Sequence, residues 1–180
     1  MEYIWSYKTN PNFTDMKMTS DGEYLTGLWF VHSFDDDDKH QGDYKEEKLP
    51  IFEETIKWLD IYFSGKEPDF TPKYKINNST GFRNLVIEEM LKIPFGKTVT
   101  YEDIAKNIAK KKGIEKMSSQ AVGGAVGWNP ICLIVPCHRV VGKNGSLTGY
   151  GGGIKNKYHL LELEGLDMRD FTVPKKGTKL

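Results

Sequence analysis

The chain has almost no cysteine. Only Cys132 and Cys137 occur in 180 residues, and none precedes them. That excludes a disulfide framework and a cysteine-built zinc site, so no metal is expected. If both cysteines lie on one extended run, five steps of roughly 3.3 Å put them about 16 Å apart, too far to bridge. Free thiols in a reducing compartment follow. Long apolar runs are missing too. No stretch approaches the roughly 18 consecutive apolar residues of a membrane span. The opening MEYIWSYKTN lacks the basic segment and apolar run of a secretory signal. A cytoplasmic protein without membrane contact is the expectation. Net charge is absent as well, since 25 Lys+Arg balance 25 Asp+Glu. The balance hides an asymmetry. Residues 1–79 hold 9 basic and 16 acidic side chains, a net −7, and residues 80–180 hold 16 and 9, a net +7. Either the basic half meets a polyanion, or the mixed charges serve solubility alone.

What is present suffices for a packed core: 38% apolar residues, with nine Phe, nine Tyr and four Trp. The length suits one ordinary domain or two small ones. The first half reads as α+β. Asp21-Gly22 is a turn signal between two strand-like runs, the second carrying Tyr24, Leu28, Trp29, Phe30 and Val31. DDDDKHQGDYKEEK reads as a charged loop with nothing apolar to bury, and Asp35 to Asp38 as solvated charge or a site for a hard cation. Pro50 opens a helix that Gly65 stops, and KEPDFTPKYKINNST reads as a linker between halves.

The second half reads as mainly helical. FRNLVIEEMLK has apolar residues at 82, 85, 86, 90 and 91, close to helical spacing. Thr100 with Asp103 is a capping-box signature for the helix YEDIAKNIAKK. Ser118 or Ser119 caps a next helix, QAVGGAVGW, ended by Asn129-Pro130. Two short helices about a polar turn resemble a helix-turn-helix. Gly123, Gly124 and Gly127 lie inside the second, each costing about 1 kcal/mol relative to alanine. Two readings stand: close packing inside the protein, or close approach to a narrow surface such as a DNA minor groove.

ICLIVPCHRVV begins like a buried strand, with Cys132 as a small core residue. Pro136 ends the strand and sets Cys137 at its end. A thiol becomes a nucleophile as thiolate, and a neighbouring histidine can take its proton. Adjacent residues on a strand point to opposite faces, so His138 sits on irregular backbone or acts through a water. On pattern alone, a structural cysteine stands beside a catalytic one.

The run PCHRVVGKNGSLTGYGGG, preceded by AVGGAVGWNP and followed by KYHLLELEG, resembles the active-site region of the O6-alkylguanine-DNA alkyltransferases, also called methylated-DNA–protein-cysteine methyltransferases. IPFGKTVTY extends the likeness, which covers about residues 80–166, and DGEYLTGLWF and YFSGKEPDF are similar to the family's N-terminal domain. The resemblance implies a small N-terminal α/β domain (an RNase H-like sheet with a helix) over 1–77. A mainly helical domain with a helix-turn-helix follows over 78–168, then a C-terminal tail over 169–180. It implies a DNA repair protein that, without a cofactor and as a monomer, takes an alkyl group from O6-alkylguanine or O4-alkylthymine in double-stranded DNA. Cys137 would accept the group in one irreversible turnover. His138 would act as base through a water, Glu164 would orient it, and Asn129 would brace the site. Tyr101 would help swing the nucleotide out. Gln120, Ala121, Gly123, Gly124 and Arg139 would meet DNA, and Val140, Tyr150, Gly151 and Gly152 would line the guanine pocket, with the glycine loop hinting at a roomy one. The sequence departs from the family at Gln120, where an arginine often fills the gap left by the flipped base.

Overall fold

A computed structural model of the chain describes residues 1–39 and 42–175. It is a mixed α+β structure. The expected hairpin is present: β2 (Met16–Ser20) runs antiparallel to β3 (Leu25–Phe30), with Met16 opposite Phe30 and Met18 opposite Leu28. All four of those side chains are buried. Asp21 closes the turn, its Oδ1 accepting the backbone N–H groups of Glu23 and Tyr24. β1 (Glu2–Tyr7) pairs antiparallel with β2 and parallel with β4 (Tyr44–Glu46), giving the order β3-β2-β1-β4.

The acidic stretch differs from the expected loop. It forms α1 (Phe34–Lys39) and then β4, with residues 40 and 41 outside the described chain. Local sequence gives no reason for order here, so the reason is tertiary. Trp29 Nε1 donates to Asp36 Oδ1 at 2.8 Å, and the Asp35 N–H donates to Gly151 O at 3.2 Å. Among the described residues no cluster of three or more His, Cys, Asp or Glu could hold a metal ion.

Helix α2 (Pro50–Phe63) has proline at its start and buries Ile51, Phe52, Thr55, Trp58, Leu59 and Tyr62, one face of a helix. Beyond it, the stretch read as a linker is stitched to the edge of β3. Leu25 donates to Lys73 O, and Lys75 donates to Leu25 O, both at 2.9 Å. The same strand takes a second segment: Leu28 donates to Pro130 O at 2.9 Å, and Cys132 donates to Leu28 O at 3.0 Å. An open strand edge carries unpaired N–H and C=O groups, and these two segments satisfy them. One hydrophobic core therefore runs through both halves, from Met18 and Leu59 to Ile108, Val122 and Cys137.

In the second half, α3 (Gly81–Leu91) is capped by Thr80, α4 (Tyr101–Lys112) opens with the expected Thr100–Asp103 capping box, and α5 (Ser119–Gly127) is capped by Ser118. These three helices pack together. Glu89 of α3 ties it to α4: buried, it meets Lys111 at 2.8 Å and Asn107 at 3.3 Å, and Lys92 at the end of its own helix at 3.3 Å. A parallel pair, β5 (Val99–Thr100) with β6 (Val140–Val141), ties the start of α4 to the chain just after Cys137. Helix α6 (Ile154–Leu163) ends one residue before Glu164. Residues 169–175, expected as tail, are mostly exposed but touch the second half at two points: Leu147 donates to Thr172 O at 2.8 Å, and half-buried Phe171 covers a small cluster of Val141, Leu147, Ile154 and Leu161. Residues 176–180 lie outside the described chain. No helix among the described residues is long and apolar enough to cross a membrane.

Candidate active site

The strand expected over residues 131–135 does not form. Asn129 replaces its ladder. Its Nδ2 donates to Val135 O at 2.8 Å, and its Oδ1 accepts the Ile131 N–H at 3.0 Å. The loop folds back on itself, with Leu133 at φ 71° and Ile134 donating to Cys132 O. Pro136 then leads into a single 3₁₀ turn, Cys137–Arg139. Cys137 therefore opens a turn and does not end a strand, and His138 sits on irregular backbone, one of the two arrangements its sequence position allowed.

The turn is buried. Cys137 is 5% exposed and His138 is fully covered. His138 Nε2 lies 2.6 Å from Glu164 Oε2. Glu164 Oε1 accepts from the Gly96 N–H at 2.9 Å and from Arg139 Nε at 2.8 Å. Burial alone raises a carboxyl pKa, but the hydrogen bond from His138, the Arg139 charge and the Gly96 N–H outweigh it and hold Glu164 at about 2. An ionised carboxylate only accepts, so Nε2 carries the proton and Nδ1 of neutral His138 is the acceptor. Nδ1 has no protein hydrogen-bond partner among the described residues. For His138 burial lowers the pKa, against the pull of Glu164. The imidazole is thus neutral and its free nitrogen is basic: the arrangement of a general base.

Around this turn the other expected residues assemble. Tyr101, at the start of α4, donates to Thr148 O at 2.9 Å. Burial first, and then the neighbouring Cys137 sulfur, raises its pKa, so its hydroxyl stays protonated. Tyr150 is buried, and its hydroxyl makes no protein hydrogen bond among the described residues. Val140 is buried and follows the turn directly. A cleft of about 620 Å³ runs from Gln120, Gly123 and Gly124 past Tyr101 to Thr148 and Gly149. Gln120, Ala121 and Gly124 are exposed on α5, while Val122, Ala125 and Val126 face the core. A Cβ at Gly124 would meet nothing within 4 Å, and one at Gly123 only the Tyr101 ring at 3.8 Å. Close internal packing therefore does not account for Gly124. The smooth side of the helix faces outward.

Two placements bear on the expected site. Arg139 is expected to meet DNA. It points inward, donating to Glu164 and to Ile93 O at 2.9 Å, with its guanidinium 5.6 Å from the Phe95 ring centre. The glycine loop does not open space either. A Cβ at Gly151 would collide with the Asp35 carboxylate, and one at Gly152 would come within 2.8 Å of Tyr150 and 3.1 Å of Phe30. Those glycines let the N-terminal half press onto the loop.

Sequence reading missed two residues. Lys157 of α6 is fully buried, donates to Val140 O at 2.6 Å, and lies 5.9 Å and 5.7 Å from the Tyr101 and Tyr150 ring centres. Burial lowers its pKa to about 8, opposed by the attraction of Cys137. That attraction works both ways, and a buried ammonium near the thiol favours thiolate. Tyr62 of α2 donates to Glu164 Oε2 at 2.6 Å. Neither carries a local signal. Lys157 reads as one solvent-facing lysine among several, and Tyr62 as one more apolar-face aromatic.

A family model described as 6-O-methylguanine DNA methyltransferase, DNA binding domain, matches residues 81–166. The methylated-DNA–protein-cysteine methyltransferase of Haemophilus influenzae is 35% identical over 161 residues, covering 89% of this chain and 83% of that one. That of Methanosarcina acetivorans is 44% identical over 119 residues, 66% of this chain and 72% of its own. The crystal structure of Mycobacterium tuberculosis OGT in complex with DNA superposes with a TM-score of 0.76 at 33% identity, over 90% of this chain and 92% of that one. The chain belongs to the methylated-DNA–protein-cysteine methyltransferase family.

Proposed function

We propose that this protein repairs DNA by moving an alkyl group from O6-alkylguanine, and also from O4-alkylthymine, onto Cys137 in one irreversible turnover. The observation that carries the reading is the buried turn in which Cys137 precedes a neutral His138 whose Nδ1 is open and whose Nε2–H is held by ionised Glu164. Nδ1 takes the thiol proton through a water. The thiolate sulfur then attacks the alkyl carbon, the carbon–oxygen bond breaks, and its electron pair leaves with the guanine. Tyr101, protonated throughout, is the donor that assists the departing base. The thioether does not return to thiol, so each molecule acts once. Lys157 steadies the thiolate before attack.

The oxygen under attack is unreachable inside the duplex stack, so the nucleotide is flipped out. Helices α4 and α5 act as a helix-turn-helix, with the smooth exposed side of α5 in the minor groove. Ala121, Gly123 and Gly124 approach the backbone, and Gln120 fills the gap left by the base. Val140, Tyr150 and Gly151 line the pocket, and Asn129 braces the turn against α5. The RNase H-like sheet of residues 1–77 and the helical domain of 78–168 work as one monomer in the cytoplasm. Excess duplex carrying O6-methylguanine tests the reading. Peptide mass spectrometry should find one methyl per protein, on the peptide containing Cys137. Repeated turnover, or a methyl on Cys132, would refute it.

Gln120 gives a separate expectation. Gln120→Arg adds charge and a planar cation to the same space. Repair of duplex DNA should speed up, and the gain should shrink on single-stranded substrate, where little stacking is broken. Transfer rates on both substrates at fixed salt decide it. Equal gains would reduce residue 120 to general electrostatics.

A further inference from the structure

Among the described residues Glu164 has four donors, and three of these come from the half of the chain that carries the cysteine. Gly96 N–H and Arg139 Nε meet Oε1, and His138 Nε2 meets Oε2. The fourth is the hydroxyl of Tyr62, on helix α2 beyond the linker stretch. It donates to the same Oε2 at 2.6 Å and stands 3.2 Å from His138 Nε2. Nothing about the ring leaves this contact to chance. Tyr62 is fully buried, stacked on Trp58 at 5.4 Å with 5° between planes, and edge-on to Phe95 and His138. Its pKa is raised by burial first and then by Glu164, so it remains a donor.

Two donors on one oxygen compete. The positive end of the Tyr62 O–H dipole dilutes the charge that Oε2 presents to the imidazole, and it sits close to the Nε2 proton. Both effects disfavour imidazolium. We propose that Tyr62 is a positioning residue for the alkyl transfer: by sharing Oε2 it limits how firmly Glu164 holds a second proton on His138, and so keeps Nδ1 open for the Cys137 proton. The inference rests on the proposed alkyl transfer and deepens it, because it makes the N-terminal half part of the relay. The other groups that face the pair are accounted for. Arg139 on the same turn is a fixed cation, Lys157 from α6 titrates on the alkaline side, and Cys137 and Tyr150 are the remaining neighbours.

The test is the pH dependence of single-turnover methyl transfer from a short duplex carrying O6-methylguanine. Tyr62→Phe keeps the stacked ring and removes the hydroxyl. With Oε2 undivided, His138 should hold its second proton about tenfold more tightly, moving the acid-side midpoint up by about one pH unit. The alkaline plateau should stay within a few-fold of the parent. NMR titration of His138 should follow the same shift. A profile that superposes on the parent, or one slowed equally at every pH with its midpoint unmoved, overturns the proposal. Should Tyr62→Phe not fold, 2,3-difluorotyrosine at position 62 decides instead. Its stronger O–H donor should move the midpoint down, and no movement or an upward shift overturns the proposal. Failure of the parent protein to methylate Cys137 would strike the alkyl-transfer reading itself, whatever Tyr62 does.

Discussion

Replacing Cys137 by alanine should abolish methyl transfer while leaving duplex binding within a few-fold of the parent. The effect is large because the turn then holds no thiol. Cys132, the other thiol, is buried on the β3 edge with its sulfur 3.8 Å from Asp35 Oδ2, beside a carboxylate and without the imidazole of His138. The exposed side of α5, which would touch DNA, belongs to a separate helix and keeps its caps. Deleting one sulfur from a buried site leaves a small void, a cost of about 1 kcal/mol or less for a group of methyl size. Gel-shift titration and single-turnover transfer on the same preparation check both halves of the expectation. Residual transfer in the alanine variant would move the acceptor elsewhere. Loss of binding with folding intact would mean that Cys137 helps shape the DNA surface.

The second large effect is expected at Glu164. Glu164→Gln keeps the shape and removes the charge. An amide oxygen cannot replace two carboxylate oxygens among four donors, so both the orientation and the basicity of His138 suffer. General-base catalysis is typically worth about 10²–10⁴-fold, and the loss should fall in that range. The sign of the pH effect follows from the charge. A negative neighbour favours protonated His138, so without it imidazolium, and with it the thiolate, becomes harder to form. What remains is attack by thiolate formed without a base. The rate should then climb with rising pH where the parent's has already levelled off. An unchanged profile in this variant would remove Glu164 from the relay. The substitution also leaves Arg139 without its carboxylate, and breaking a buried pair costs about 3–5 kcal/mol. Rates are therefore to be compared below the melting temperature of the variant.

Much was legible in the sequence because it is local. The hairpin about Asp21-Gly22, the helix opened by Pro50, the capping box at Thr100 and the helix after Ser118 each rest on signals a few residues long. Caps and turns are local chemistry, so neighbouring residues suffice to announce them. The Pro-Cys-His-Arg run pointed to the family and to Cys137 and His138, the resemblance added Glu164 downstream, and the fold places Glu164 against His138. What escaped depended on partners far along the chain. Strand β1 is central to the sheet, yet MEYIWSYKTN has no turn to mark it. Helix α1 stands on residues whose order comes from contacts with Trp29 and Gly151. The expected strand before Cys137 gave way to a loop because Asn129 satisfies the backbone groups that a ladder would have used.

One motif, by its resemblance to a known family, thus pointed to the family, to Cys137 and to His138. The tertiary structure alone decided which charges surround them. Arg139 turns inward to Glu164, Lys157 is buried against the turn, and Tyr62 arrives from the other half of the chain. The reason is electrostatic. A charge or hydroxyl in water is screened and inconsequential, and the same group out of water beside a thiol and an imidazole governs where the proton sits. Burial of that kind is a property of the packed core and not of any short run of sequence.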